Sequence, residues 1–171
     1  MSDAVLSQFQ IESIHLLEES FGKIKHCLSQ LSEQQVWFRP APAMNSIGNL
    51  LLHIAGNLRQ WVVTSIEDAP DRRDRDAEFS ADGGLSLAEL TKTVEDTISR
   101  AKVAIQSVTS DTATQTRKIQ GFEVTLMGAI MHSVPHFVGH THQIIYITRL
   151  QLGDAYQFAW SPDTPRGGAP I

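Results

Sequence analysis

The chain has 171 residues, of which 42% are hydrophobic and 19% charged, a length and composition that suit one domain with a continuous apolar core. Its 14 Lys+Arg against 19 Asp+Glu give a net charge of −5, and no basic cluster stands out, which argues against nucleic acid as a main partner. The single cysteine, Cys27, excludes an internal disulfide framework and a cysteine-based zinc knuckle.

The N-terminus, Met1-Ser2-Asp3-Ala4, shows no basic region ahead of an apolar run, so no signal peptide is expected. Polar residues interrupt every apolar stretch before it reaches bilayer length. The expectation is a cytoplasmic protein with no membrane partner.

Four segments carry helical periodicity, and none shows sustained strand-type alternation. The first runs from about Ala4 to Leu31, with Phe9, Ile14, Leu17, Phe21, Ile24, Leu28 and Leu31 along one face. Trp37-Phe38-Arg39-Pro40-Ala41-Pro42 cannot be helix interior, and its two aromatics are expected to cap one end of the core. The second helix follows Asn45-Ser46, either of which suits an N-cap, and carries Ile47, Leu50, Leu51, Ile54, Leu58, Trp61 and Val62.

Asp68 to Gly84 is dense in mixed charge and reads as a long solvated crossover, which lets the second and third helices lie parallel. Ser86-Leu87-Ala88-Glu89 is a capping-box pattern opening the third helix. Its stripe is Leu87, Leu90, Val94, Ile98, Ala101, Ile105 and Val108. Thr109 to Thr116 reads as a polar loop, and the fourth helix spans about Val124 to Leu152. The fold class is therefore all-α, a four-helix bundle with a long crossover between helices two and three. Residues 1–153 form the single domain, and 154–171 an extended Pro/Gly-rich C-terminal tail.

Four of the seven histidines, His132, His136, His140 and His142, crowd the fourth helix. The first three are spaced by four and form a stripe on one face. His132 and His140 lie roughly 12 Å apart along the axis, whereas ligands sit about 2 Å from a shared ion. One ion therefore takes one adjacent pair, either His132 with His136 or His136 with His140, plus a ligand from another helix. His142 points off the stripe.

At about 100° per residue, the stripe flanks an apolar seam of Ile130, Phe137, Thr141, Ile144 and Thr148. His53 lies on the corresponding flank of the second helix. Two histidines from the fourth helix and one from the second make a three-nitrogen site with open positions, the mark of a catalytic metal centre. The plainer reading of His53 alone is a hydrogen-bonded core residue. His15 and His26 read as surface or rim residues, and Cys27 as a small buried hydrophobe. Pro135 removes a backbone donor and crowds the carbonyl of Met131, so a kink is expected before His136. The sequence carries neither the paired Glu-x-x-His motifs of a di-iron bundle nor a His-Glu-x-x-His, phosphate-loop or dinucleotide motif.

The stretch Asn45-Ser46-Ile47-Gly48-Asn49-Leu50-Leu51-Leu52-His53-Ile54-Ala55-Gly56-Asn57-Leu58-Arg59-Gln60-Trp61, with His136-Phe137-Val138-Gly139-His140-Thr141-His142-Gln143-Ile144-Ile145-Tyr146-Ile147, resembles the DinB-like superfamily of metal-dependent four-helix bundles. The resemblance implies His53, His136 and His140 as metal ligands, so it selects the later histidine pair. It implies a homodimer, and a small-molecule substrate that includes, in some members, a low-molecular-weight thiol. His142 stands where the family usually has glycine.

By ligand type the ion is zinc or nickel, since neutral imidazoles suit both. The functional expectation is a metal-dependent enzyme of thiol-transferase or hydrolase type, activating a thiol or water. Its alternative is a bundle that binds metal or ligand without turnover, as sensor or structural element. Asn57 and Gln143 are candidates for orienting a substrate or a ligand ring.

Overall fold

A computed structural model describes residues 2–160. Its long helices are α1 (Asp3–Leu28), α3 (Ile47–Leu58), α5 (Leu87–Ser107) and α6 (Leu126–Leu152), with short α2 (Glu33–Trp37) and α4 (Arg75–Ser80) between them. Each of these six α-helices starts where the sequence offers a side-chain oxygen to orphan backbone N–H groups. Ser46 and Ser86 close capping boxes with Asn49 and Glu89, and the Thr125 side chain accepts from the Gly128 N–H at 3.0 Å.

Pairwise contacts fix the bundle's directions. Gln10 of α1 donates to the carbonyls of Ile105 and Val108, and Lys102 pairs with Glu18, so α1 and α5 are antiparallel. Asn57 meets Ser133 and His53 meets His136, so α3 and α6 are antiparallel as well. Arg59 and Val63 share a groove with Thr93 and Thr97, and Arg100 pairs with Glu67 in the same register, so the second and third long helices run parallel. The long crossover makes that arrangement possible. The core between them includes Leu17, Ile24, Ile47, Leu51, Leu58, Ile105, Phe137 and Ile144, all 1% exposed or less.

Several expectations need correction. The first helix ends at Leu28; Leu31 is still buried, but from the turn that follows. Trp37 does seal the core, its indole N–H donating to the Leu85 carbonyl at 3.0 Å and its ring lying where a Cβ on Gly48 would stand 2.7 Å away. Phe38, by contrast, is 48% exposed, because the chain leaves the helix there in an extended conformation.

The α3 helix passes directly into a π-helical turn, Arg59–Thr64. Gln60 to Val63 are all buried there, continuing the burial of α3, where Leu52 alone among the twelve residues is not buried.

The polar loop before α6 contains a hairpin, β1 (Thr116–Ile119) with β2 (Phe122–Thr125), in register Thr116↔Thr125. Its two-residue turn, Gln120-Gly121, has φ of +51° and +88°, the geometry that matches strand twist. Four-residue strands are too short for alternation to register in sequence. Ile119 packs on Trp61 and Ala129, fixing the hairpin to the bundle, and β2 runs straight into α6, which therefore begins at Leu126 rather than Val124. The α6 helix continues through Pro135.

The solvated crossover is the largest correction. Its second half forms α4, capped by Asp74, and Glu78 there is only 7% exposed. At the start of the expected tail a 3₁₀ turn runs from Gly153 to Ala155, and Gln157 bonds His26 of α1 and Gln30 of the turn that follows it. Residues 161–171 lie outside the described residues. No helix among the described residues is long and apolar enough to cross a membrane.

Candidate metal centre

The α3–α6 seam brings His53, His136 and His140 together, each offering a ring nitrogen, with these atoms all within 4.8 Å of one another. His53 is buried on α3, while His136 and His140 are half-buried on successive turns of α6. Phe137, Thr141 and Ile144 fill the core beside them, which turns the histidine stripe along the seam.

The Nε2 atoms of His53 and His136 are 3.0 Å apart. Nitrogens bound about 2.0–2.1 Å from one ion stand roughly 3.0–3.4 Å apart, depending on the coordination angle. That pair is therefore at ligand spacing, and the His140 ring nitrogen lies within 4.8 Å of both. Imidazoles are suitable donors for a borderline divalent ion, so the residues fit the group.

Two of the three rings are held at the far nitrogen. Nδ1 of His140 lies 2.7 Å from Gln143 Oε1, which accepts from it and leaves Nε2 for an ion. Nδ1 of His53 lies 3.1 Å from Glu78 Oε2 and 3.0 Å from the Arg73 guanidinium. With Nε2 turned to an ion, the proton resides on Nδ1 and is donated to Glu78, the carboxylate–histidine–metal relation that fixes ring orientation and raises ligand basicity.

Arg73 grips Glu78 side-on through one guanidinium edge, Nε donating to Oε1 and Nη2 to Oε2, each at 2.7 Å. Its Nη1 donates to Gln60 at 2.9 Å, and Gln60 in turn accepts from Gln120 of the hairpin turn. Burial pushes the Glu78 carboxyl upward, but the hydrogen bonds and charges of Arg73 and His53 outweigh it, so the pKa is lowered. Glu78 is thus ionised beneath His53. Spacing could not reveal it, since it lies in a charged run with no periodicity, 25 residues from its histidine.

The remaining candidates separate. His132 stacks on Trp61 at 3.8 Å and lies outside the cluster. His142 is exposed, its Nδ1 donating to the Val138 carbonyl. Asn57 is buried and accepts from Ser133 at 2.8 Å, a tie between α3 and α6 instead of a substrate contact. His15 is exposed, and His26 sits at the rim against Tyr156. Cys27 is fully buried, and burial raises its thiol.

Burial pushes His136 down to about 4, with His140, His53, His132 and Arg73 adding repulsion; burial also lowers His132 and His140. An unfolded histidine titrates near 6.5. Between that pH and about 4 the unfolded chain binds protons that native His136 refuses, so stability falls as pH drops through this window. Chelator-treated protein is expected to show a lower urea midpoint at pH 4.5 than at pH 7. His136→Ala should flatten the slope. An equal slope in both proteins would contradict the assignment.

The Glu78→Gln substitution keeps the shape and removes the charge. Zinc affinity is expected to fall roughly 10–100-fold. Stability should fall as well, by up to about 3–5 kcal/mol, because Arg73 loses its buried counter-charge and keeps only Gln60 and the new amide carbonyl as acceptors. Competition titration against a chromophoric chelator reads the first effect, and undiminished affinity would remove Glu78 from the site.

The fold of this bundle is shared with solved structures of DinB-like proteins. Solved structures that it resembles include a DinB-like protein from Bacillus subtilis (TM-score 0.61, 12% identity, covering 82% of this chain and 92% of that one). Another is a DinB-like protein from Bacillus cereus ATCC 10987 (0.62, 13%, 77% and 85%). A conserved protein from Enterococcus faecalis aligns at TM-score 0.71 with 16% identity, covering 82% and 95%. No match is found among curated proteins. In sequence, residues 6–163 match the family described as "Protein of unknown function (DUF1572)", and the chain belongs to that family.

Proposed function

We propose that this protein binds one divalent ion, zinc or nickel, on His53, His136 and His140, and that it is a metal-dependent enzyme acting on a small thiol or water. The observation that carries the reading is the convergence of three ring nitrogens from two helices, two of them with the opposite nitrogen already engaged by Glu78 and Gln143. An ion held by only three protein ligands supplies Lewis acidity, lowering the pKa of a thiol or water brought to its open side.

The chain's own residues do the rest. Glu78 holds the proton on His53 Nδ1, Arg73 holds Glu78 ionised, and Gln143 orients His140. The half-buried position of His136 and His140 supports access for a small substrate from solvent.

Elemental analysis of purified protein, before and after chelation, tests the site. Stoichiometric zinc or nickel is expected, with a raised thermal midpoint on reloading. Wild-type protein that takes up no divalent ion would overturn the reading. S-transfer assays with a panel of small thiols and electrophiles at saturating metal test the chemistry. Strong stabilisation by metal with no turnover would reassign the ion to a structural role.

A further inference from the structure

We propose that the α3–α6 seam carries, one helical turn beyond the three histidines, a subsite for the uncharged apolar part of a small substrate whose polar head reaches the ion. The proposal deepens the metal-site reading and rests on it.

The antiparallel register places the subsite. Along the seam, Asn57 meets Ser133 and His53 meets His136. The next turn of α3 toward its N-terminus carries Leu50, and the next turns of α6 toward its C-terminus carry Gln143 and Ile147. These three line one groove of about 500 Å³. Leu50, Gln143 and Ile147 therefore continue the line of the histidines along both helices, while Gly139, His142 and Tyr146 carry the groove onto the outer face of α6.

Its chemistry selects the ligand. Leu50 and Ile147 are buried at its base, and Met44 and Tyr146 add exposed apolar walls. Asn45, His142 and Gln143 are its polar side chains, and no Asp, Glu, Lys or Arg lines it. A groove without a fixed charge gives no anchor to an ionic group, whereas apolar walls with a few hydrogen-bonding groups suit an aryl or alkyl moiety.

Gln143 joins the two halves. Its Oε1 accepts from His140, and its amide N–H groups make no hydrogen bond to protein among the described residues, which leaves them to a substrate's polar head. Gly139 borders the groove, and a Cβ placed there would meet nothing within 4 Å, so the wall is open at that point. The substrate class is an amphiphile with a metal-seeking head and an uncharged aryl or alkyl body.

Two hydroxamates, which share a metal-binding head, isolate the apolar part. Benzohydroxamate is expected to bind zinc-loaded protein about tenfold or more tighter than acetohydroxamate, from burial of its ring. In methyl NMR it should shift the Met44, Leu50 and Ile147 signals. Gly139→Phe fills the groove from an exposed helical position, and Met44→Glu places a charge on its wall; in each, the affinity ratio should fall toward one.

A ratio that persists in both variants, or unshifted methyls, would overturn the subsite. So would a sedimentation coefficient that changes in Gly139→Phe while the wild-type methyls ignore the ligand, because the groove would then be a contact between copies of the chain. If wild-type protein binds no metal, the function reading falls by that measurement. The subsite is then judged separately, retained if benzyl alcohol shifts the three methyl signals and lost if it does not.

Discussion

Replacing His136 and His140 together with alanine is expected to abolish stoichiometric zinc binding while the protein stays folded. Zinc on four protein ligands gains about 10–16 kcal/mol, or roughly 3 kcal/mol per ligand, so losing two of three lowers affinity by about four orders of magnitude or more. The fold should survive because the seam of α6 is carried by Ile130, Phe137, Thr141 and Ile144, each 1% exposed or less, while both histidines are half-buried at its flank. Helix propensity also favours alanine over histidine. His132→Ala is the matched control: it removes a neighbouring imidazole that stacks on Trp61, and should leave stoichiometry at the wild-type value. Isothermal titration with zinc, alongside circular dichroism, separates lost ligation from lost fold. Stoichiometric zinc retained by the double variant would place the ion elsewhere.

The histidines were legible in the sequence because helical spacing is a local property. A step of four puts His132, His136 and His140 on one face whatever surrounds them, the flank of the second helix offered His53, and the resemblance selected the later pair. Caps were legible for the same reason: Ser46 and Ser86 each act on residues three positions away. The parallel placement of the second and third long helices followed from the length of their connection.

Glu78 and Arg73 were not legible, since a charged run reads as solvated and only tertiary pairing changes that. Their side chains are 8% and 2% exposed, and each is buried because the other is. The π-helical turn and the hairpin escaped for a related reason. Burial of Gln60 depends on Arg73 and Gln120, distant residues that a window along the chain does not weigh together.

Gly56 is where the hidden half of the site leaves its mark on α3, and Gly56→Ala is expected to destabilise the protein by about 3–5 kcal/mol. Glycine inside a helix normally costs about 1 kcal/mol against alanine, so a simple propensity argument predicts the opposite sign. The structure reverses it. A Cβ on Gly56 would stand 1.9 Å from Glu78 Oε1 and 2.8 Å from its Cδ, with Arg73 Nε 3.1 Å away. The missing side chain is the space in which the carboxylate lies against α3 and reaches His53.

Neither partner can retreat cheaply, because Arg73 is held by Gln60 and by both carboxylate oxygens, and a broken buried ion pair leaves charge uncompensated. For a chain of this size, the loss corresponds to a thermal midpoint lower by about 10 °C. Zinc affinity should fall in the same variant, since displaced Glu78 no longer orients His53. Gly22→Ala provides the contrast: nothing lies within 4 Å of a Cβ there, so the ordinary helix preference should act alone and raise stability slightly. Equal shifts for the two substitutions in urea denaturation would show that Glu78 does not occupy the space under Gly56. Opposite shifts, with weaker zinc binding only in the Gly56 variant, would tie the fold of the crossover to the metal centre.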